Sequence, residues 1–290
     1  SVSRGAAFLS GSTVSLRGMG SSQGRTLVLV DGVPVNKTDG GSVNWNAIDA
    51  TDIERIEVIK GPGSSLHGGN AMGGVIQFIT PVPDQAFRAN IAQSAGSFGT
   101  YQTRLGAEGK AGAFTWNVSG MYRESDGYIT SPADEINEYS VASFLNEYRF
   151  GGKIGYFAGA RTHVEAAGSY YSGQRGTGSN YSGYGFVNEA FASEKGAYNT
   201  YSGSYGRTRL RHEFEKGALL QVVAYVQSEL YENIRESFRS NTLTRYDVES
   251  ERDESGILST LEFAIGSSHK LTAGADLRHG RVDGADKYLT

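Results

Sequence analysis

Several segments between residues 86 and 283 alternate between apolar and polar side chains with a period of two. Such alternation predicts β-strands with one apolar face and one polar face. In the segment 218–232, apolar residues recur at every second position from Leu220 to Val226, and Gln221 lies between them. The pattern predicts nine strands, at residues 86–96, 99–109, 113–123, 148–158, 161–172, 200–215, 218–232, 252–266 and 269–282.

Residues 1–83 show shorter strand-like runs, which are typical of a compact globular unit. Two apolar runs flank Asp31-Gly32, a pair that favours the positive φ angles of a tight hairpin turn. The segment 52–60 alternates and predicts a strand, preceded by a helical turn that Asp52 caps. A further strand is predicted at 74–80, where Pro81 ends it.

The alternation of the longer strands fits either a soluble antiparallel sheet or a membrane barrel with a polar lumen. The connections favour the barrel, because short and long links alternate and therefore collect at opposite rims. The short links are 110–112, 159–160, 216–217 and 267–268, and the long polar links are 124–147, 173–199 and 233–251.

The amino-acid composition excludes several further classes of protein. The chain has 290 residues with 40 Gly, 17 Tyr and no Cys, which excludes a disulfide framework and thiolate metal sites. A net charge of −4 argues against non-specific nucleic-acid binding. The mean hydropathy of −0.37 and the lack of a long apolar run exclude a helical membrane protein. Single-chain barrels have an even number of strands, so nine strands indicate a piece of a larger barrel.

Four motifs in the first 83 residues carry a resemblance to a known family. They occur at residues 14–18 (VSLRG), 27–35 (LVLVDGVPV), 53–62 (IERIEVIKGP) and 69–76 (GNAMGGVI). In this order and spacing they resemble the plug domain of TonB-dependent outer-membrane receptors. The sequence GPGSS at 61–65 is similar to that of the siderophore and cobalamin receptors.

The resemblance implies an all-β dominated fold, a transmembrane antiparallel β-barrel with an N-terminal α+β plug domain. The plug would span residues 1–83 and the first barrel strands 84–290. A complete barrel of this family has about 22 strands. The resemblance further implies the outer membrane of a Gram-negative bacterium and active import powered by the TonB complex. The segment that binds TonB lies upstream of the plug core in this family and is absent from the sequence.

Several residues are candidates for the plug's attachment and for ligand contact. In relatives, the basic plug positions matched by Arg17 and Lys60 pair with carboxylates of the barrel wall. The expected ligand-facing plug residues are Lys37, Asp39, Asn44, Trp45 and His67. Beyond the plug, the loop at 172–199 is rich in aromatic residues and contributes the candidates Tyr181, Tyr184 and Phe186. The predicted strand at 200–215 contributes Arg207 and Arg209. The alternative for each candidate is an ordinary structural or solvated residue without a role in binding. For the arginines, the alternative is a row of charges that acidic neighbours such as Glu213 and Glu262 neutralise.

The expected ligand is a scarce metal chelate, most simply a ferric siderophore, with cobalamin, haem or an oligosaccharide as alternatives within the family. A soluble β-rich binding module is the alternative from another class. We expect no enzymatic activity, no cofactor and no bound structural metal, because neither a nucleophile motif in the right context nor a paired histidine spacing is present.

Overall fold

A computed structural model describes residues 2–3, 13–14, 16, 24–37, 40–63, 70–129, 133–134, 136, 140–176, 197–239, 242–266 and 269–288. These residues form three β-sheets. The helical segments within them are two single 3-10 turns, Trp45–Ala47 and Ala50–Asp52. No helix in this part of the chain is long and apolar enough to cross a bilayer.

The largest sheet has nine antiparallel strands that follow one another in chain order. We call it the wall. Its strands are β7 (Arg88–Gly96), β8 (Thr100–Ala111), β9 (Phe114–Tyr128), β10 (Ser143–Ala158), β11 (Thr162–Gly176), β12 (Tyr198–Glu213), β13 (Leu219–Arg239), β14 (Thr242–Ile265) and β15 (His269–Tyr288). The count agrees with the nine strands that the alternation predicts. The sheet curves around the N-terminal domain without closing, so β7 and β15 are its two edges.

The two faces of the wall differ in chemistry, as the alternation predicts. The outer face carries apolar side chains that remain highly exposed, such as Ile91 at 70%, Ile154 at 65% and Leu277 at 73%. Such a broad exposed apolar surface is what a bilayer covers in a membrane barrel. The inner face carries the polar and charged residues that meet the N-terminal domain.

One predicted loop is a continuation of two strands. The alternation predicts a long polar link at residues 233–251, but β13 extends to Arg239, β14 begins at Thr242, and every residue of β13 is paired with β14. The polar residues of this segment keep the period of two, so they form a hairpin that projects beyond the apolar band. The acidic side chains of Asp247, Glu249 and Glu251 lie on its outer face, and Glu249 pairs with Lys287 at 2.6 Å.

The N-terminal domain contains a four-stranded sheet in the order β4, β3, β6, β5. These strands are β3 (Thr26–Val30), β4 (Val33–Pro34), β5 (Arg55–Lys60) and β6 (Gly74–Ile79). The short strands β1 (Val2–Ser3) and β2 (Thr13–Val14) pair separately. Asp31 and Gly32 have φ angles of 48° and 89°, which confirms the tight Asp-Gly hairpin turn between β3 and β4.

The central strands β3 and β6 are parallel and supply the core. Val28, Ile76 and Phe78 are buried on one face, and Leu27, Leu29 and Val75 on the other. The helical turn predicted before β5 is present, but its cap is Asp49 and not Asp52. Asp49 accepts a hydrogen bond from the Thr51 amide at 2.9 Å, whereas Asp52 is the last residue of the turn.

Tyrosine and glycine lie opposite each other on the inner face of the wall. Tyr171 is paired in register with Gly203, and Gly173 with Tyr201. A Cβ atom at Gly203 would lie 2.7 Å from the Tyr171 ring. Each ring therefore lies flat over a neighbouring glycine, where any side chain would displace it. Some of the 40 glycines and 17 tyrosines of the chain therefore lie in such pairs.

Candidate functional site

Four polar contacts attach the N-terminal domain to one row of residues across the inner face of the wall. Side chains of a register row lie side by side across adjacent strands. We call this set the contact row; it consists of Arg104, Arg149, Tyr171, Glu229 and Arg252. The contacts are Asp49 with Arg104, Asp52 with Arg149, Asn44 with Tyr171 and Lys37 with Glu229.

Asp49 belongs to both the helical turn and the contact with the wall. Its Oδ1 accepts hydrogen bonds from the amide and hydroxyl of Thr51, each at 2.9 Å, and its Oδ2 accepts one from Arg104 Nε at 3.0 Å. Burial by itself raises the pKa of this carboxyl, but the hydrogen bonds from Thr51 and Arg104 outweigh it and the pKa is lowered. Asp49 is therefore held in its ionised form.

Lys37 extends from the N-terminal domain into a polar recess of the wall. Its ammonium group forms an ion pair with Glu229 and lies 5.3 Å from the centre of the Tyr231 ring. Arg252 approaches the same Glu229 carboxylate at 3.6 Å. One carboxylate is thus shared by a cation of the N-terminal domain and a cation of the wall.

The β3–β4 hairpin makes a second, buried attachment. Asp31 accepts hydrogen bonds from Arg207 Nη2 at 2.5 Å and from the Thr80 amide at 2.9 Å. Arg207 also pairs with Glu165 at 2.7 Å, and the side chains of all three charged residues are nearly inaccessible to solvent. Lys153 donates hydrogen bonds to the Thr80 hydroxyl and to the Pro81 carbonyl. Next to this network Val33 is fully buried against Val223 and Tyr225 of β13.

A cavity of about 210 Å³ lies between the two attachments. The N-terminal domain supplies Asp31, Lys37 and Asp52 to its lining, and the wall supplies Arg149, Lys153, Tyr205 and Arg207. The Tyr205 hydroxyl is buried there without a hydrogen-bond partner among the described residues. The lining combines these polar groups with apolar side chains, among them Ile48, Ile53 and Phe78. Its polar groups can hold ordered water, which can exchange partners with the charged groups around it.

A second row of the wall lies two residues closer to the rim with the long connections. Arg123, Glu147, Tyr201 and Tyr231 occupy this row, and Arg175 folds back onto it. We call these five residues the upper row. Glu147 accepts hydrogen bonds from Arg123, from Arg175 at 2.6 Å and from the Tyr201 hydroxyl at 3.0 Å. The guanidinium of Arg175 also lies 4.8 Å from the centre of the Tyr201 ring.

Comparison with known proteins identifies the N-terminal domain. Residues 1–75 match the family model of the TonB-dependent receptor plug domain. The chain carries a TonB-dependent receptor plug domain. A superposition with the siderophore receptor PirA from Acinetobacter baumannii covers 97% of this chain, so the plug domain and the nine-stranded wall share the fold of part of that receptor.

Curated relatives match part of the chain. The vitamin B12 transporter BtuB of Vibrio vulnificus is 35% identical over 127 residues, which are 43% of this chain and 20% of that protein. The pesticin receptor of Yersinia enterocolitica is 33% identical over 129 residues, or 42% of this chain and 18% of the receptor. The chain thus spans about a fifth of the length of these relatives.

Solved structures share the fold of the plug domain and wall at low sequence identity. PirA has a TM-score of 0.69 at 18% identity, and the alignment covers 44% of that receptor. The ferripyoverdine receptor of Pseudomonas aeruginosa has a TM-score of 0.73 at 17% identity, with 100% of this chain and 40% of that receptor covered.

The structure brings several of the predicted site residues to the contact between plug domain and wall. Lys37 and Asn44 contact the wall, whereas Trp45 packs edge-on against Phe78 in the plug core, with ring centres 6.4 Å apart. Their roles in ligand binding stay predictions. Arg207 and Arg209 are matched by Glu165, and Arg207 also by Asp31, rather than by Glu213 and Glu262.

The remaining predicted site residues are not seen at the contact between plug domain and wall. Lys60 is exposed in the edge strand β5 and forms no ion pair within the described part of the chain. Six predicted residues lie outside the described residues, namely Arg17, Asp39, His67, Tyr181, Tyr184 and Phe186.

The described charged contacts between plug domain and wall are of both kinds. Asp31, Asp49 and Asp52 of the plug domain face arginines of the wall. Lys37 faces the wall carboxylate of Glu229, which is the pattern that the sequence suggested for Arg17 and Lys60. The signal available in the sequence was the arginine at every second position from 207 to 211, which marks a polar inner face. The plug-domain partners of the wall arginines were not identifiable, because Asp49 and Arg104 are separated by 55 residues in the chain and Asp31 and Arg207 by 176.

Proposed function

We propose that the chain is part of an outer-membrane receptor that imports a scarce metal chelate, most simply a ferric siderophore, with energy supplied through the TonB complex. In this proposal residues 1–83 form the plug and residues 84–290 the first barrel strands. The observation that carries the proposal is a plug domain seated by polar contacts on the inner face of a wall whose outer face is apolar. Ion pairs and hydrogen bonds hold the plug at both attachments, and its displacement would also separate Val33 from Val223 and Tyr225 of the wall.

The relatives support a transport role rather than catalysis. Their names describe a vitamin B12 transporter, a pesticin receptor and siderophore receptors. The partners in this proposal are the TonB complex, the lipid of a Gram-negative outer membrane and a small chelate, with no nucleic acid. Lys37 and Asn44 are proposed to sense the ligand from the plug side, since both lie where the plug domain meets the wall.

Vitamin B12 is the second candidate ligand. The observation that favours it is the 35% identity to the BtuB transporter, which exceeds the 17–18% identity to the siderophore receptors superposed on the chain. The matched segment covers 43% of this chain and 20% of the transporter.

Uptake measurements test the proposal. Cells that express the complete protein should accumulate radioactive iron from a siderophore, and deletion of TonB should abolish that accumulation. Accumulation of cobalamin in place of iron would favour the second candidate. Uptake of either ligand at an unchanged rate without TonB would refute the active-transport mechanism.

A further inference from the structure

We propose that one small monovalent anion of the halide class, such as chloride, binds in the cavity between the plug domain and the wall. Its ligands are the guanidinium group of Arg207 and the hydroxyl group of Tyr205. These residues are neighbours on the inner face of β12, and both line the cavity. The site goes beyond the proposed function, because the anion holds the plug domain in place and is not the transported ligand.

The charges of the buried attachment do not balance. Asp31 and Glu165 supply two carboxylates. Lys153, Arg207 and Arg209 supply three cations, and ion pairs connect all five residues into one set. The set therefore has a surplus of one positive charge, counted over the residues that the structure describes. An uncompensated charge is costly where solvent is excluded, and one monovalent anion would neutralise it.

The oxygen atoms of both carboxylates already have partners. Asp31 Oδ1 accepts a hydrogen bond from the Thr80 amide, and Oδ2 accepts from the Thr80 hydroxyl at 2.7 Å and from Arg207. Glu165 Oε1 lies 2.7 Å from Arg207 Nη2, and Oε2 lies 3.2 Å from Arg209 Nη2. These acceptors are therefore engaged by the cations and by Thr80.

Several donors of the same attachment are left over. Arg207 Nη1, Arg209 Nε and the Tyr205 hydroxyl are buried, and none of them has a hydrogen-bond partner in the described part of the chain. The Arg207 side chain is only 3% exposed, and an arginine cannot lose its proton to escape this environment. Buried donors are normally satisfied, so an excess of donors together with a positive charge indicates a bound anion.

The cavity has room for a small ion and its water. It measures about 210 Å³, whereas one water molecule needs roughly 10–15 Å³ of cavity and a halide ion is little larger. Small residues create the space, since Ser119, Gly151 and Ser169 lie in one register row with Tyr205. Water alone would fill this space but would leave the charge of the attachment uncompensated.

Bromide tests the site directly, because it replaces chloride and scatters X-rays anomalously. Crystals of the complete protein soaked in bromide should show an anomalous peak in the cavity, within hydrogen-bond reach of Arg207 and Tyr205. Ordered water at this place without bromide would overturn the proposal. That result would mean that the surplus charge is absent, as it would be if Lys153 were neutral.

In solution the anion should hold the plug domain against the wall. At constant ionic strength, protease should cleave the plug domain about threefold more slowly in chloride than in gluconate, which loses conformational freedom when it is confined. A threefold effect corresponds to chloride at about twice its dissociation constant, since cleavage follows the population of the open form. Equal cleavage rates in the two salts would overturn the proposal.

Two substitutions test the residues of the site. Tyr205→Phe removes one donor but keeps the ring, and Arg209→Gln removes the surplus charge but can still donate to Glu165. Each should nearly abolish the chloride effect and the bromide peak. The matched controls are Tyr148→Phe, on the outer face and 43% exposed, and Arg211→Gln, exposed on the same strand as Arg209. Both controls should keep the threefold effect.

The variants also separate a specific site from an adventitious ion only. An unchanged chloride effect in either folded variant, or a bromide peak that neither substitution weakens, would overturn the proposal. The requirement of uptake for TonB does not enter these measurements, so a negative result here leaves the proposed transport function standing.

Discussion

Asp31 is the residue through which the plug hairpin is fixed to the wall. Its positive φ angle places the carboxylate at the tip of the turn, where it accepts hydrogen bonds from Thr80 and Arg207. Removing one partner of a buried pair leaves the other charge desolvated, which costs more than the pair contributed. Glu165 still neutralises Arg207 when Asp31 is lost, so the cost is partly offset.

Asp31→Asn should lower the free energy of unfolding of the plug domain by roughly 2 kcal/mol. Chemical denaturation of the complete protein, followed by proteolysis of the plug domain, measures the change. Asp283→Asn removes an exposed pair and serves as the control, with an expected change below about 0.5 kcal/mol. Equal effects of the two substitutions would show that the buried network does not hold the hairpin.

Asp49 gives the attachment a pH dependence. Its pKa is lower in the folded protein than in the unfolded chain, so its contribution is present above the unfolded pKa of about 3.8 and is lost as the pH falls through the folded pKa. Hydrogen exchange of residues 44–53, corrected for intrinsic rates, should therefore increase below about pH 4. Asp49→Asn should remove this acid-dependent step, and a step of unchanged size in that variant would contradict the assignment.

At the scale of elements, the pairing of tyrosine with glycine lets the tyrosine rings lie along the inner face of the wall instead of projecting from it. Gly203 leaves room for the Tyr171 ring, and the Tyr171 hydroxyl is thereby held against Asn44 and Glu229. A side chain at Gly203 would push the ring towards the plug domain. Glycine in a strand costs backbone entropy, and the flat tyrosine offsets part of that cost by covering it.

Gly203→Ala should destabilise the protein by about 1–3 kcal/mol, because the new Cβ would overlap the Tyr171 ring. Gly206→Ala on the same strand is the matched control, since its Cβ would meet its nearest neighbour, Val226, at an ordinary 3.5 Å. The midpoints of urea unfolding compare the two variants. A larger loss at Gly206 would argue against this role of Tyr171.

The elements themselves were largely predictable from local sequence. The wall strands are predictable from the period of two, because the apolar and polar faces of a strand follow from its own residues alone. The turn at Asp31-Gly32 is predictable because this pair favours positive φ angles. The contact row could not be predicted in the same way. Its pairs, such as Asp49 with Arg104, depend on how the plug domain is rotated against the wall, and no local pattern encodes that rotation.

At the scale of the whole molecule, Lys37 and Glu229 connect the plug domain to the most extended hairpin of the wall. Lys37→Glu and Glu229→Lys should each weaken plug attachment, since each places like charges together. The double swap should restore part of it, with a coupling of about 0.5–3 kcal/mol. Protection of the plug domain from protease is the measurement. If the losses of protection in the two single variants add up in the double variant, a direct interaction between Lys37 and Glu229 is contradicted.

The contact row also determines how the plug domain can leave the wall. Its four contacts come from residues 37–52 of one domain and meet strands that are hydrogen-bonded to one another. When one contact opens, the others hold the partners at a high effective concentration, so it closes again quickly. Release then behaves as a multivalent dissociation: a brief fluctuation breaks one contact, but only a sustained pull that opens all of them in succession frees the plug domain.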